Sequence, residues 1–244
     1  MTENRAAGRG LPTVEVTPGI DSADAEGVRR FYVNSTVQPF AYDNGPEPYA
    51  SLVVEAVASF EPTSVLEFGC GSGRNLALLR NLTPARLTGV DINPAATAWG
   101  RENFGLELHD GDEAWLLAQA ENIFDIVYTV SVIDHIPVPE PAIAALVRAA
   151  ADLVIVYEIM HAETGRLTRA EGADGTLVEG YPFSYFHDYR RLFETAGAWL
   201  VADVAFPVGQ TGVLPFYRLQ VYAKSAEWRR HNLVRNLLLW RPPR

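Results

Sequence analysis

Apolar residues gather along the chain in short runs, with stretches of helical spacing between them. Residues 64–68 (SVLEF), 86–92 (RLTGVDI), 106–109, 124–130 (FDIVYTV) and 153–158 (LVIVYE) read as five strands. Their apolar runs alternate little, as expected of strands buried on both faces. Helices fit the intervals: 74–81, 94–102 with Pro94 in its first turn, a segment near 113–120, and 141–150. Upstream, Leu52, Val53, Ala56 and Val57 fall at helical spacing within 49–60, and Pro62 ends that helix. Alternating strands and helices of this kind predict an α/β fold.

The pattern breaks after the fifth strand. Residues 161–182 are Gly-rich and charged, too long for a simple connection. A helix at 188–196 (DYRRLFETA) is stopped by Gly197, and 199–206 and 216–223 read as two closing strands. Residues 226–240 form an amphipathic helix, with Leu233, Val234, Leu237 and Leu238 on one face and Trp228 and Trp240 at its ends. At the other terminus, 1–26 lacks periodicity and reads as a loose leader, before a short helix at 27–38 and a turn-rich stretch at 39–48. The predicted organisation is a leader and lid over 1–48, one α/β domain over 49–224, and a basic amphipathic helix over 225–244.

Composition narrows the class. The 244 residues are enough for one sizeable core, and no run of 18 apolar residues suggests a spanning helix. The first ten residues lack the apolar stretch of a secretory signal. Cys70 is the only cysteine, which excludes an intrachain disulfide and a multi-cysteine zinc site. A cytoplasmic protein is the expectation. The net charge of −10 argues against general affinity for nucleic acid. That charge is uneven, because from Lys224 onward six basic residues face one acid, Glu227. A basic helix with tryptophans suits an anionic membrane surface. Packing against the acidic body, or against a second subunit in a homodimer, is the commoner use of such a face.

The segment Glu67-Phe68-Gly69-Cys70-Gly71-Ser72-Gly73 sits between a strand and a helix, and its glycines let backbone approach a ligand closely. Asp91 ends the next strand, where an acid can take both hydroxyls of a ribose. Together they point to an adenosine-containing cofactor. A dinucleotide site needs G-x-G-x-x-G for its pyrophosphate; here the spacing is G-x-G-x-G and Arg74 follows. Glu67 would repel a pyrophosphate but favour a cofactor carrying an amino group. S-adenosylmethionine therefore fits better than NAD, with a dinucleotide-dependent reductase as the weaker alternative.

The motifs VLEFGCGSGRN, GVDIN, HDGD and FDIVYTVSVIDHIP, in that order, resemble those of the class I S-adenosylmethionine-dependent methyltransferase superfamily. The resemblance implies a Rossmann-like, seven-stranded, mostly parallel sheet of order 3-2-1-4-5-7-6, its last strand antiparallel, with helices on both faces. It implies that Glu67 helps hold the methionine amino group, that Gly69 and Gly71 line the cofactor, and that Asp91 takes the ribose hydroxyls. By the same resemblance Ile92 packs on adenine, Asp112 accepts from the adenine amine with the Glu113 backbone beside it, and Ser131 lies near the methionine. Two positions have plainer readings: Gly73 as a helix-packing residue, and Asp112 as a helix N-cap. RNLALLR, VIDHIP, VYE and FSYFHDYRRLFETAG are also similar to bacterial methyltransferases of sugar and natural-product pathways, including the pseudaminic-acid-associated type.

The acceptor side is less legible. His135, just past the fourth strand, is the candidate general base, and ordering its own loop beside Asp134 and Pro137 is the alternative. Glu158 and His161 do not by themselves make a metal site, and no metal is expected. Tyr185 and His187 read as loop residues, Cys70 as a small buried filler, and Tyr42 as a cofactor lid or an aromatic packing the leader. The expected activity is methyl transfer to an oxygen or nitrogen of a small molecule, a sugar or secondary metabolite. The alternatives are a protein or lipid-linked glycan acceptor, or an inactive cofactor-binding partner subunit.

Overall fold

The computed structural model describes residues 13–21, 24–34, 48–171, 177–178, 183–205, 217–225 and 228. In chain order its elements begin with β1 (Thr13–Pro18), α1 (Asp24–Asn34), α2 (Pro48–Ala58), β2 (Ser64–Phe68), α3 (Arg74–Leu79) and β3 (Arg86–Asp91). Next come α4 (Pro94–Phe104), β4 (Glu107–Asp110), α5 (Glu113–Leu117), β5 (Phe124–Val130), a 3-10 turn (Ile133–His135), α6 (Glu140–Ala149) and β6 (Ala150–Ile159). The remainder are β7 (Gly165–Glu171), β8 (Leu177–Val178), β9 (Tyr185–Phe186), α7 (Tyr189–Thr195), β10 (Trp199–Ala205) and β11 (Tyr217–Ala223).

Seven strands form the main sheet in the order β10-β11-β6-β5-β2-β3-β4. Counted along the chain from the opposite edge this is 3-2-1-4-5-7-6, as expected. Strands β2 to β6 pair in parallel, and β11 runs antiparallel to both β6 and β10. Successive side chains of each strand go to opposite faces. Val65, Ile126, Tyr128, Leu153, Ile155 and Tyr157 pack with Val53 and Val57 of α2. Leu66, Phe68, Val127, Val154 and Val156 pack with Ile143 and Leu146 of α6 and Phe193 of α7. With helices on both sides most positions of the inner strands are core positions, which is why the sequence shows runs rather than alternation.

Local signals fix the helix ends. Asn93 caps α4, its side chain accepting from the Ala95 and Ala96 N–H groups, with Pro94 following and Gly105 closing the helix in the left-handed region. Within α4, Gly100 lies so close to the glycine loop that a Cβ there would collide with the Ser72 carbonyl and with Leu108 Cδ1. Backbone cannot retreat as a side chain can. Gly100→Ala is therefore expected to lower stability by about 2 kcal/mol, overpacking outweighing the gain in helix propensity. Gly27 of α1 has nothing within 4 Å of such a Cβ, so Gly27→Ala is expected to stabilise by about 0.5–1 kcal/mol. Denaturant unfolding of the two variants should give opposite signs.

A second sheet corrects the reading of the leader and takes up part of 161–182, the stretch too long for a simple connection. Strand β7 pairs antiparallel with β1, β8 and β9. Thus 13–18 is no loose leader, and 165–171 is no plain connection. The polar–apolar alternation of Thr13-Val14-Glu15-Val16-Thr17 is the pattern of a half-buried strand. It is short, and its partner lies far along the chain. Leu167 of β7 is buried with Ile159 and Phe186. Helix α1 docks on this sheet through Asp24, which accepts from the Tyr185 hydroxyl at 3.0 Å and faces Arg166 at 3.8 Å.

Tyr42 lies outside the described residues, as does most of the C-terminal helix. Trp228 is described, and its ring meets Phe60 edge-on at 5.8 Å. No helix among the described residues is long and apolar enough to cross a membrane.

Candidate active-site cleft

A cleft of about 590 Å³ opens where β2, β3, β4 and β5 end, the edge at which open α/β sheets bind ligands. Its floor is built from four strand ends: Phe68 to Gly71, Asp91 to Asn93, Gly111 to Glu113, and Val130 to Val132. Val28, Arg29 and Tyr32 of α1 cover it, and His135, Ile136, Pro137 and Val138 form a wall.

Gly69 has φ 72°, and a Cβ there would strike both methyls of Val132. Only glycine lets the loop pass this close to the β5 end. Gly71, at φ 53°, turns its N–H to Asp91 Oδ2 at 2.8 Å, while Asp91 Oδ1 takes the Asn93 N–H at 2.8 Å. Asp91 thus ties the glycine loop to the end of β3 and still lines the cleft. Burial raises its carboxyl above the usual range. Gly73 does not line the cleft; its Cβ would meet Leu106 and Leu108, which is the packing role.

Glu67 lies beneath the loop, 1 % exposed, and not on the cleft surface. Its Oε1 accepts from Asn75 Nδ2 at 2.6 Å, and Oε2 has no hydrogen-bond partner among the described residues. Burial pushes its carboxyl up to about 8. Asn75 itself reaches the cleft and so carries Glu67's influence to the surface.

Ile92, Asp112, Glu113 and Ser131 all line the cleft. Asp112 is the N-cap of α5, accepting from the Ala114 N–H at 2.9 Å, and it also takes Arg29 Nη1 at 2.5 Å. Burial would raise its carboxyl, but these hydrogen bonds prevail and hold it low. The capping reading is therefore correct, and it does not displace the other, since a carboxylate accepts more than two donors. Ser131 sits at φ 53°, strained for a residue with a Cβ. Its hydroxyl donates to the Asp134 carboxyl at 3.3 Å, which leaves the Tyr217 hydroxyl to donate to Ser131 at 2.9 Å.

The His135 ring lines the cleft under Tyr32, their centroids 5.1 Å apart. Its Nδ1 lies 2.8 Å from the Phe183 carbonyl oxygen. A carbonyl only accepts, so Nδ1 carries the proton and Nε2 the lone pair. Phe183 is also a left-handed non-glycine residue, at φ 74°. Burial lowers the His135 pKa.

Arg29, Tyr32 and Asn75 were not singled out by sequence reasoning. The signal for the first two was the helical spacing of Val28 and Tyr32 in α1, which marks a face in need of cover. Glu158 is buried at the end of β6, off the cleft. His161 packs against Phe186, and Tyr185 and His187 belong to the second sheet and the turn after it. No group of three metal-ligating side chains exists among the described residues.

Cys70 lines the cleft yet is buried, and burial raises its thiol pKa well above normal. Alkylation by iodoacetamide at pH 8 is expected on the order of a hundredfold slower in the folded protein than in denaturant. Equal rates would mean that the loop opens freely.

The chain is similar to known proteins in both sequence and fold. A family model described as a methyltransferase domain matches residues 42–203. A search of curated protein sequences finds no match. Among solved structures, a Burkholderia thailandensis 1,6-didemethyltoxoflavin-N1-methyltransferase with bound 1,6-didemethyltoxoflavin and S-adenosylhomocysteine aligns at TM-score 0.61. It shares 17 % identity, over 88 % of this chain and 95 % of that one. Magnesium protoporphyrin IX methyltransferase from Synechocystis PCC 6803, with bound S-adenosylhomocysteine, aligns at TM-score 0.58 and 16 % identity, over 82 % and 99 % of the two chains. These likenesses are of fold. The sequence match, which begins ahead of α2, ends within β10 and takes in all four strand ends of the cleft floor, makes this chain a member of the methyltransferase domain family.

Proposed function

We propose that the chain transfers a methyl group from S-adenosylmethionine to an oxygen or nitrogen of a small molecule, a sugar or secondary metabolite. The observation that carries this reading is the row of carboxyl acceptors at the strand ends of the cleft. Asp91, Asp112 and Glu113 line it, against the basic Arg29 and Arg74, and Glu67 lies under its glycine loop. Such acceptors suit a cofactor that bears an ammonium, an adenine amine and two ribose hydroxyls better than one that bears a pyrophosphate. The unpartnered Glu67 Oε2 and the left-handed Gly69 fit the same group. The structural neighbours named above were solved with S-adenosylhomocysteine bound.

When bound, the cofactor supplies an electrophilic methyl on a positively charged sulfur. The protein's own residues do the rest. Asp91 and the glycine loop fix the ribose, Ile92 offers an apolar face to adenine, and α1 covers the cleft and excludes water. His135, with its lone pair on Nε2, takes the proton of the acceptor. A cleft of about 590 Å³ with a mixed lining supports a small acceptor beside the cofactor.

Calorimetric titration with S-adenosylmethionine and S-adenosylhomocysteine tests the cofactor. Both are expected to bind, and failure of both in a folded sample would sink the reading. Release of S-adenosylhomocysteine across a panel of hydroxyl and amine acceptors then tests the transfer, and a binder inert to every acceptor class would be a cofactor-binding module instead.

A further inference from the structure

Behind the His135 wall lie two carboxyl groups that the mechanism above does not use. Glu158 ends β6 and is completely buried; Asp134 sits in the 3-10 turn after β5 and is 1 % exposed. The Glu158 carboxyl accepts from the Val132 N–H at 3.1 Å, the Asp134 N–H at 3.2 Å and the Thr129 hydroxyl at 2.7 Å. The Asp134 carboxyl takes the Ser131 hydroxyl, and its Oδ1 lies 3.8 Å from His135 Nε2. Both carboxyls are buried at this one turn, Glu158 Oε2 against the Asp134 N–H. One buried acid thus binds the turn that carries Ser131 and His135, and the other is part of that turn.

The groups facing this pair are few. Tyr217 of β11 reaches it through Ser131, Tyr189 of α7 senses both carboxyls, and Tyr32 of α1 lies over His135. His187, near the Ile133 and Ile136 backbone, is held neutral by burial, its pKa pushed down to about 4. No lysine or arginine pairs with either carboxyl among the described residues. Two carboxyls buried at one turn without a cation resist ionising together, yet the N–H and O–H donors around them stabilise one negative charge well.

We propose that Asp134 and Glu158 hold one proton between them and so keep a single buried negative charge behind His135, through which they act on methyl transfer as positioning residues. The proposal rests on His135 being the base in the reading above. As the bond from acceptor to methyl forms and the sulfur–methyl bond breaks, the acceptor's proton passes to His135 Nε2. The imidazolium then stands beside the monoanion of the pair. Burial alone would leave His135 a weak base, and the charge of the pair restores part of its basicity. Burial pushes the Asp134 carboxyl up to about 6, and burial and Asp134 together raise that of Glu158, in keeping with one shared proton.

The test needs neither cofactor nor acceptor, so its failure is distinct from failure of the methyltransferase reading. Carbon-13 NMR of the carboxyl carbons in the full chain should give two separate steps for this pair, one near pH 6 and the other also well above the ordinary carboxylate range. The His135 imidazole titration, assigned by its loss in His135→Gln, should shift down by at least about one unit in the isosteric double variant Asp134→Asn, Glu158→Gln. Each single variant leaves one carboxylate and should shift it less. Two carboxyls titrating together in the ordinary acidic range would overturn the proposal, as would an unmoved His135 in a folded double variant. If the double variant does not fold, the wild-type carboxyl titration decides alone.

Discussion

Asp91→Ala is expected to weaken S-adenosylhomocysteine binding by about 10²–10⁴-fold while leaving a folded protein. The size follows from what the carboxylate does. Hydrogen bonds to a charged group contribute roughly 1.5–3 kcal/mol each, and two ribose hydroxyls would be lost at once. The glycine loop also loses its tether, since Asp91 Oδ2 holds the Gly71 N–H and Oδ1 the Asn93 N–H. Asp91→Asn keeps the shape but turns one acceptor into a donor, and should fall between the two. Titration calorimetry, with circular dichroism to check the fold, measures both. A loss of less than tenfold in the alanine variant would place the ribose elsewhere. There is a pH signature as well. Binding needs the ionised carboxylate, and burial raises the Asp91 pKa. Affinity should therefore fall as pH drops through that raised value, sooner than an ordinary aspartate would allow.

The main sheet was legible in the sequence because its strands are buried on both faces. Ser64–Phe68 and Phe124–Val130 match their predicted runs residue for residue. Glycine loop, Asp91 and the acidic end of β4 were legible for a related reason: each lies at a strand end, where local sequence fixes the backbone. What escaped were contacts between distant segments. Strand β1 is six weakly apolar residues whose partner, β7, lies in what reads as a charged loop. Arg29 reaches Asp112 only because α1 docks on the second sheet. Glu158 with His161 reads as too little for a metal site, and nothing in VYE says that three donors converge on its carboxyl. Side-chain convergence of that kind is set by the register of β5 against β6, which periodicity does not encode.

The other large effect falls on turnover. His135→Ala is expected to lower kcat for a hydroxyl acceptor by about 10²–10⁴-fold, the usual contribution of a positioned general base. Cofactor affinity should change little, because the ring touches Tyr32 and the Phe183 carbonyl rather than the glycine loop. For an amine acceptor the loss should be smaller, since an unprotonated amine attacks without a base. The comparison therefore reports the acceptor atom as well as the role of the residue. The pH dependence separates base from scaffold. A base must be unprotonated, so wild-type kcat should fall as pH drops through the His135 pKa, which burial lowers. In His135→Gln, whose amide can still donate to the Phe183 carbonyl, that acid limb should vanish even where the fold of the turn is kept. If the limb persists in the glutamine variant, the proton goes to another group and His135 only orders the wall. The geometry favours the first outcome. The ring lines the cleft, and its bond to the Phe183 carbonyl fixes the tautomer in which Nε2 is the basic nitrogen.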